Sequence, residues 1–472
     1  MARDQLWRQY IVAGVANIMA VCYGYSIGWT APVTVKLRSP ATSPLYSIPT
    51  RDDIAWMGSL LTIGGIAGPF IGGPAASKLG RKWGLMSASV PMLVGWALVV
   101  VADDMMYLLV ARVLWGVAAG IIFTTIPMYC AEIATDDARG ALGSFIQFFN
   151  TIGVLLVYAI GPYVSYWTIG YIGLATVATF MLLFFFMPET PTYRLLESNR
   201  EAAISSLCIL RGRSNTDVMD ELNKIEIDVK ASMEKSAAVT DLFRGSNFKA
   251  LYISCALMVF QQFSGINAVL FYLTDIFKDS GIELDPAIAT IIIGFVQLVA
   301  SLVTPFVADR LGRRLLMLVS SCGAAIGLIL LGMFFLLVAN GSGVVTSIGF
   351  LPVLSLVLFI LTYCWGLGPL PWAIMSELFA IEVKAVASPI VTAFCWLMCF
   401  LVTRYFESVA IALGRYSAFW LFAVFCVISF FFTIFLLPET KNKSFQEIQD
   451  ILAGRESSKA EKSELPAQKL ES

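Results

Sequence analysis

Long runs of apolar residues recur along the whole chain, and each run is long enough to cross a bilayer. A helix that spans the hydrocarbon core needs about 20 consecutive, mostly apolar residues. The segments that meet this criterion lie near residues 9–29, 54–76, 84–102, 105–130, 141–162, 166–187, 248–276, 287–308, 315–338, 347–379, 386–411 and 417–437. The sequence therefore predicts an all-α membrane protein with twelve transmembrane helices, numbered below as spans 1 to 12.

The overall composition agrees with this prediction. Hydrophobic residues make up 58% of the 472 positions and charged residues 14%, whereas soluble chains average about 45–50% and about 25%. Such a balance cannot cover a water-soluble globule of this size with polar groups. The net charge of −1 offers no basic surface to a phosphate backbone, so we expect the lipid bilayer, and no nucleic acid, as a partner.

The residue types that usually carry metals or catalysis are scarce. There is no histidine, which is the commonest metal ligand. The nine cysteines lie mostly in apolar runs, at spacings that suggest neither a zinc site nor a disulfide framework. Because no nucleophile–base pair is apparent either, we predict no metal, no cofactor and no enzymatic activity.

The short loops differ in charge, and this difference predicts the orientation. The loops after spans 3, 5 and 9 contain no lysine or arginine. The loops after spans 2 and 8 are basic and hold Lys78, Arg81, Lys82, Arg310, Arg313 and Arg314. Basic loops stay in the cytosol. We therefore expect a multi-pass protein of the plasma membrane with both termini in the cytosol.

One long polar stretch, residues 188–247, divides the spans into six and six. Its apolar residues recur at helical spacing, which predicts amphipathic helices on the cytosolic side. The predicted organisation is an N-terminal six-helix bundle at 1–187, a cytosolic helical linker at 188–247, a C-terminal six-helix bundle at 248–438 and a cytosolic tail at 439–472. Arg3 and Arg8 precede an apolar run without a small-residue cleavage site, so we assign that run to span 1 rather than to a signal peptide.

Three short motifs occur in both halves in the same order. They are Lys-Leu-Gly-Arg-Lys at 78–82 and Arg-Leu-Gly-Arg-Arg at 310–314, Glu132 with Arg139 and Glu377 with Lys384, and Pro-Glu-Thr at 188–190 and 438–440. Basic residues that only fixed the topology would not require the acids that accompany them. Repeated halves with a site between them are the usual plan of a transporter, in which rocking exposes the site to each side in turn.

The repeated charges also suggest a gate. Acidic and basic groups at cytosolic helix ends can pair between neighbouring helices when the inner side is closed. Exposed pairs contribute only about 0–1 kcal/mol each, but a network of several can bias two states. Together with an aspartate that precedes the second basic motif, the predicted gate residues are Lys78, Arg81, Lys82, Glu132, Arg139, Asp309, Arg310, Arg313, Arg314, Glu377 and Lys384.

Large uncharged polar side chains are uncommon inside the spans. We single out five amides on spans 5, 7 and 8, namely Gln147, Gln261, Gln262, Asn267 and Gln297. Amides of this kind often only bond neighbouring helices, and that alternative stays open. Five of them are more than packing requires, and amides offer donors and acceptors without charge, which suits hydroxyl-rich neutral solutes.

Two spans contain sequences that cannot form regular helices. On a regular helix Asn267 would point away from Gln261 and Gln262, so a shared cavity requires a break near Ser264-Gly265. Span 10 contains Gly-Leu-Gly-Pro-Leu-Pro-Trp at 366–372, which also predicts a break. Broken helices mark the substrate site of a transporter. Trp372 follows the second break and could stack its apolar face on a sugar ring.

Glycines also recur at helical spacing in span 4. They follow Arg112 at Gly116 and Gly120. Small residues at this spacing let two membrane helices approach closely. We therefore assign these glycines to helix packing rather than to function.

The motifs together resemble the sugar porter family of the major facilitator superfamily, particularly animal facilitative glucose transporters and insect trehalose-transporter-like proteins. The resemblance covers nearly the whole chain and is carried by residues 127–129 with Glu132, Arg139 and Gly140, and by 188–191, 261–267, 309–314, 366–372 and 438–441. It implies the major facilitator fold. It also implies that Gln147, Gln261, Gln262, Asn267 and Trp372 line a sugar site, and that Trp396 is a second tryptophan of that site.

Several positions depart from the family pattern. Ser77 stands where the first basic motif has aspartate, Cys364 where glucose transporters have glutamate, and Gln297 and Cys395 where they have asparagine. Met-Val-Phe at 258–260 replaces a Gln-Leu-Ser that accompanies glucose preference. The resemblance therefore implies sugar transport without identifying the sugar.

Facilitated transport of a hexose or trehalose, by a monomer, is the function that we predict from these residues. Proton-coupled relatives carry an aspartate in span 1 just after Gly-Tyr, whereas Ser26 stands there in this chain. Without a titratable group near the midplane a proton-coupled symporter lacks its carrier. A non-transporting sugar sensor is the other alternative, and sensors are expected to carry a longer cytosolic tail.

A glycosylation sequon lies in a predicted outer loop. Asn340-Gly341-Ser342 follows span 9 and has the Asn-x-Ser pattern of an acceptor. The loop is short. We predict Asn340 as a candidate modification site.

Overall fold

The computed structural model describes residues 6–135, 137–233, 239–280, 284–379, 381–441, 447–448 and 451–452. Within these residues it contains nineteen α-helices and no β-strand. The helices of the first half are α1 (Leu6–Gly28), α2 (Thr30–Leu37), α3 (Arg51–Lys78), α4 (Arg81–Ser87), α5 (Ser89–Val101), α6 (Met105–Ile133), α7 (Arg139–Ile160) and α8 (Tyr166–Phe185). Three shorter helices follow, α9 (Pro191–Leu196), α10 (Arg200–Arg211) and α11 (Met219–Met233).

The described part of the second half also contains eight α-helices. Its helices are α12 (Gly245–Phe263), α13 (Ile266–Ser280), α14 (Pro286–Leu311), α15 (Arg313–Ala339), α16 (Leu351–Trp365), α17 (Leu370–Leu378), α18 (Ile381–Leu413) and α19 (Arg415–Phe435). Twelve helical segments in the described chain are long and apolar enough to cross a membrane. The predicted fold class, all-α with twelve membrane helices, is confirmed. Spans 1, 3, 7 and 10 each consist of two consecutive helices.

Close helix packing in the first half depends on small residues. A Cβ at Gly116 of α6 would lie 1.9 Å from the carbonyl oxygen of Leu61 in α3, and one at Gly120 would lie 2.4 Å from the Cα of Gly68. Any larger residue at these positions would therefore force the two backbones apart. The prediction that Gly116 and Gly120 serve helix packing is confirmed.

The three helices between the halves have a small core of their own. Ala203 and Leu207 of α10 are buried against Val218 and Leu222 near and within α11. Arg211 ties this group to the first half, because it donates to the carbonyl oxygen of Ile133 at 2.9 Å. Its guanidinium also pairs with Glu221 at 2.7 Å. The polar linker is therefore helical and attached to the first bundle, while its cytosolic position stays a prediction.

The two halves contact each other mainly through two pairs of spans within the bundle. Trp396 of α18 packs on Gly65 of α3, where an added Cβ would lie 2.5 Å from the indole ring. The hydroxyls of Thr151 in α7 and Ser301 in α14 lie 3.1 Å apart. These contacts place spans 2 and 5 of the first half against spans 11 and 8 of the second.

Ion pairs also join the halves at one end of the bundle. Arg38, just after α2, pairs with Asp275 of α13 at 2.9 Å, and Asp275 is almost fully buried. Arg404 of α18 pairs with Asp52 in the first turn of α3 at 2.6 Å. Helix α3 begins at this end and finishes at Lys78, in the first repeated motif. We therefore call this end, which lies away from the repeated motifs, the opposite end. The other end, which carries the repeated motifs, is called the motif end.

Candidate functional site

Span 7 is broken where the amide spacing predicts a break. Helix α12 ends at Phe263, and α13 begins at Ile266. Between them Gly265 has a φ of 83°, a left-handed backbone conformation that residues other than glycine rarely adopt. An added Cβ there would also lie 2.2 Å from the ring of Phe422 in α19. The predicted break at Ser264-Gly265 is confirmed.

The break brings three of the predicted amides into one cluster. Asn267 Nδ2 donates to Gln262 Oε1 at 2.6 Å. Gln262 Nε2 donates to Gln261 Oε1 at 3.2 Å. On one continuous helix Asn267 would face away from both glutamines, so the cluster depends on the change of direction at Gly265.

A second broken span closes the cluster. Span 10 is interrupted between Trp365 and Leu370, as its glycines and prolines predict. The carbonyl oxygen of Gly368 in this interruption accepts a hydrogen bond from Gln261 Nε2 at 2.5 Å. A carbonyl freed from helical bonding has to find another donor inside a membrane. The amide of Gln261 therefore joins the two broken spans.

A thiol from span 11 completes the cluster. Cys395 of α18 accepts a hydrogen bond from Gln262 Nε2 at 3.2 Å. Its own S–H points to Gln261 Oε1 at 3.5 Å. Sulfur is a weak partner for hydrogen bonds, so these contacts hold the amides only loosely. A solute with stronger donors and acceptors could displace them.

The other predicted site residues lie apart from this hydrogen-bonded cluster. Gln297 of α14 is buried, and its Oε1 has no hydrogen-bond partner in the described part of the chain. Gln147 of α7 and Trp372 of α17 are half-buried. Trp396 is half-buried too, with one side of its ring against Gly65 of the first half. None of the described hydrogen bonds connects Gln147 or Gln297 to the cluster.

Three further buried polar residues were not predicted from the sequence as candidate site residues. Asn17 of α1 donates to the carbonyl oxygen of Ala13 at 2.8 Å, and its Oδ1 has no partner among the described atoms. Asn150 lies one turn after Gln147 and also has a buried, unpartnered Oδ1. Arg112 is fully buried inside span 4. Their position well inside apolar runs was the available signal, and it should have marked them as candidates together with the five amides.

Arg112 is held by backbone carbonyls. It donates from Nε to Met57 at 2.7 Å and from Nη1 to Ser26 at 2.9 Å. The rings of Trp115 and Phe271 lie 5.8 and 5.4 Å from its guanidinium carbon. A buried cation without such contacts would be costly. These contacts tie spans 1, 2 and 4 together around a fixed positive charge.

At the motif end of the first half, Arg81 and Glu132 form an ion pair. Arg81 Nε lies 2.9 Å from Glu132 Oε1. The other carboxylate oxygen of Glu132 accepts from the hydroxyl of Thr190 at 2.5 Å. The ring of Tyr193 lies 5.2 Å from the Arg81 guanidinium carbon. All four residues belong to the first half and the helix that follows it.

The second half repeats this arrangement. Arg313 Nη2 lies 3.2 Å from Glu377 Oε1. Gly312 has a φ of 87°, and Gly80 at the matching place has a φ of 96°. Acidic and basic residues of the predicted gate set therefore do pair, but each pair forms within one half. Rocking of two rigid halves would not by itself separate either pair, so the role of these residues as a gate stays a prediction.

The two Pro-Glu-Thr motifs place a carboxylate at matching helix starts. Glu189 accepts from the backbone N–H of Lys82 at 3.0 Å. Glu439 accepts from the backbone N–H groups of Arg313 and Arg314, each at 3.1 Å. A carboxylate in this position satisfies free N–H groups and interacts favourably with the helix dipole. The motif thus fastens the end of each half to the start of that half's third span, span 3 or span 9.

The pKa values of the two carboxyls shift in opposite directions. Burial raises the pKa of Glu189, although the N–H groups of Thr190 and Lys82 oppose the rise. Partial burial also acts on Glu439, but hydrogen bonds from the backbone N–H groups at 313, 314, 440 and 441 outweigh it and lower its pKa. The glutamate of this motif therefore stays ionised to a lower pH in the second half than in the first.

The remaining predicted gate residues lie around these pairs. The carbonyl oxygens of Lys78 and Arg310 accept hydrogen bonds from Tyr193 and Lys441, Lys82 Nζ donates to the carbonyl oxygen of Phe185, and Arg314 donates to the carbonyl oxygens of Thr433 and Ile434. Burial lowers the pKa of Lys384, and the nearby Glu377 opposes this shift. Arg139 begins α7. The side chain of Asp309 lies outside the described part of the structure.

Comparison with known proteins identifies the family. The sequence pattern of the "Sugar (and other) transporter" family matches residues 12–452. The chain belongs to the sugar transporter family. The resemblance inferred from its motifs is confirmed, and so is its nature as a multi-pass membrane protein.

Similar proteins carry names of one kind. A facilitated trehalose transporter of Apis mellifera ligustica is 34% identical over 94% of this chain and 88% of its own length. One of Polypedilum vanderplanki is 35% identical over 95% of this chain and 89% of its own length. Among solved structures, the proton:xylose symporter XylE is similar with a TM-score of 0.76, 22% identity, and coverage of 95% of this chain and 100% of that chain. This last likeness concerns the fold.

Proposed function

We propose that this chain carries a neutral sugar, a hexose or trehalose, across the plasma membrane by facilitated diffusion. The observation that carries the proposal is the uncharged cluster of Gln261, Gln262, Asn267 and Cys395 at the break of span 7. Its groups both donate and accept, as sugar hydroxyls require. The trehalose transporters named above support the choice of substrate class.

The surroundings of Ser26 favour facilitated diffusion over proton coupling. Its backbone carbonyl accepts from Arg112, a cation already satisfied by other carbonyls. The acidic residues Asp275 and Glu407 lie instead toward the opposite end. A symporter needs a titratable group that communicates with both sides, and none of these groups is placed for that role.

The proposal includes an orientation and a mode of action. The basic motif end would face the cytosol together with both termini and helices α9 to α11. The halves would rock around the central cluster, which lies where spans 7, 10 and 11 meet. A single chain contains both halves, so a monomer suffices.

The test is uptake of labelled trehalose, glucose and fructose in transport-deficient cells that express the full chain. Uptake should saturate and should stop when the internal concentration equals the external one, with or without a protonophore. The variant Gln262→Leu should weaken apparent sugar affinity by about two- to tenfold, because one neutral hydrogen bond contributes about 0.5–1.5 kcal/mol.

The control for this variant is Tyr252→Phe, on an exposed face of the same helix α12. Both variants should reach the surface at the level of the unmodified protein. Accumulation above the external concentration that a protonophore abolishes would replace facilitated diffusion with symport. Poor expression of Gln262→Leu with normal affinity would mean that the amide only joins helices.

A further inference from the structure

A polar cavity of about 430 Å³ lies at the opposite end of the bundle, far along the spans from the repeated motifs. Arg38 and Arg51 of the first half line one side of it. Asp279, Glu407 and Arg415 of the second half line the other. The cavity is therefore bounded by charged residues of both halves, and no part of the predicted sugar cluster contributes to it.

Ion pairs between the halves lie beside this cavity. Arg38 also makes the pair with Asp275, and the pair between Arg404 and Asp52 lies next to the start of α3 where Arg51 is found. Arg415 pairs with Asp279 within the second half. Anything that bridges the two walls of the cavity would act together with the inter-half pairs.

The charged lining has unused hydrogen-bonding capacity. Within the described part of the chain, neither Arg51 nor Glu407 has a hydrogen-bond or ion-pair partner, and Nη1 of Arg415 is buried without one. Hydrogen bonds to charged groups are stronger than those between neutral groups. The lining can therefore offer donors from its arginines and acceptors from its carboxylates to one small solute.

The balance of charge restricts the kind of solute. A simple anion would meet Asp279 and Glu407, and a simple cation would meet three arginines. A hydroxyl group both donates and accepts without a net charge. A neutral polyol can thus satisfy both sets of groups at once, and a cavity of this volume is within the range of small-molecule sites.

We propose that this cavity is a second, weaker binding site for a neutral polyol, the same chemical class as the transported sugar. We call it the outer site, because the opposite end faces outward in the proposed orientation. A polyol in it bridges Arg51 of the first half and Glu407 of the second. Because it binds only when the walls are together, it stabilises the state in which this end is closed. High external sugar therefore slows uptake. The choice of ligand rests on the proposed function.

The experiment is equilibrium binding of labelled trehalose to the purified full chain, followed by uptake at increasing external trehalose. Binding should show two components. The double variant Arg51→Gln, Glu407→Gln should weaken only the weaker component, by about tenfold or more, because two charge-assisted contacts are lost. The decline of uptake at high external sugar should disappear in the same variant.

Two further variants keep the test decisive. Ile411→Trp adds volume from the exposed lining of the cavity and removes no charge, so it should abolish the same component. Lys278→Gln changes an exposed charge next to Asp279 and outside the lining, and it should preserve both components. A single component that none of the cavity variants alters would overturn the proposal.

The outcomes separate this proposal from the proposed function. Gln262→Leu should weaken only the stronger component, which belongs to the central cluster. An unmodified chain that showed only the weaker component would contradict the proposed function and leave the outer site standing. Displacement of the weaker component by glycine, a zwitterion, but not by sorbitol, a neutral polyol, would contradict the polyol assignment.

Discussion

Two glutamates in matching positions differ in how firmly they hold their charge. The pKa of Glu439 is lowered by backbone N–H groups, and that of Glu189 is raised by burial. A lowered pKa adds stability above the ordinary value of about 4.3, and this stability is lost as the pH falls through the folded-state pKa. A raised pKa adds stability below that value, which is lost as the pH rises through the folded-state pKa.

We therefore expect opposite pH profiles from the two glutamine variants. Glu439→Gln should lower the free energy of unfolding by about 0.5–2 kcal/mol, the usual value of a helix N-terminal contact. This deficit should stay constant from about pH 5 to 8 and shrink only below about pH 4.3. Glu189→Gln should gain stability relative to the unmodified protein as the pH rises from about 4.3.

The measurement is the thermal midpoint of the detergent-purified protein across this pH range. Glu201→Gln, an exposed glutamate in the first turn of α10, is the control and should show no such trend. Parallel profiles for Glu189→Gln and Glu439→Gln would show that the pKa values of the two carboxyls do not shift in opposite directions.

At the same scale, some residues could be predicted from the sequence and others could not. Repetition identified the two basic motifs and the acids Glu132 and Glu377 as gate candidates, because a motif that occurs twice is a strong signal. Only the fold shows that Glu132 pairs with Arg81 and Glu377 with Arg313. Cys395 is marked in the sequence only as a departure from the asparagine of the family pattern, and its contact with Gln262 is seen only in the fold. The burial of Arg112 likewise depends on carbonyls contributed by other spans.

Among the elements, the break in span 7 determines the site. Gly265 combines a left-handed backbone with contact to Phe422. Gly265→Ala should cost about 1–2 kcal/mol for the backbone conformation, and the displaced ring adds to this cost. Because Gln261, Gln262 and Asn267 meet only through this turn, we expect lower apparent sugar affinity together with lower thermal stability.

The control for this variant is Gly73→Ala in α3, where an added Cβ meets nothing within 4 Å. Alanine is the better helix former by roughly 0.5–1 kcal/mol, so this variant should be as stable as the unmodified protein or more so. Affinity and thermal midpoint are measured on the same preparations. Equal behaviour of the two variants would mean that the turn at Gly265 tolerates a side chain.

The elements themselves were largely predictable. Apolar length predicted the spans, and glycine and proline predicted the two breaks, because these properties act locally. The subdivision of spans 1 and 3 was not predicted. The junction residues Trp29 and Ala88 keep right-handed helical φ and ψ, so each subdivision is a slight irregularity that glycine, proline and apolar length do not predict.

For the whole molecule, the orientation in the membrane is the property still to be measured. Helix α15 runs from Arg313 at the motif end to Ala339, and the exposed Asn340 follows it. In a Cys208→Ser background, Asn340→Cys should react with a membrane-impermeant maleimide in intact cells. Ser77→Cys, exposed at the motif end, should react only after permeabilisation.

The native Asn340 offers a second measurement of the same orientation. Its exposure is compatible with a glycan, and a glycosidase-sensitive mass shift should disappear in Asn340→Gln. The background protein without either new cysteine should stay unlabelled from outside. Reaction of Ser77→Cys in intact cells would invert the orientation and place the basic loops outside.

The attachment of α10 and α11 to the first half through Arg211 makes this linker useful for engineering. A fluorescent protein inserted into the exposed stretch 213–217 would travel with the first bundle as if part of it. With an acceptor dye on the second bundle, a change in the distance between the two bundles would change the efficiency of energy transfer, and with it the ratio of donor to acceptor emission. The linker thus provides a natural mounting point for an optical sensor of sugar in living cells.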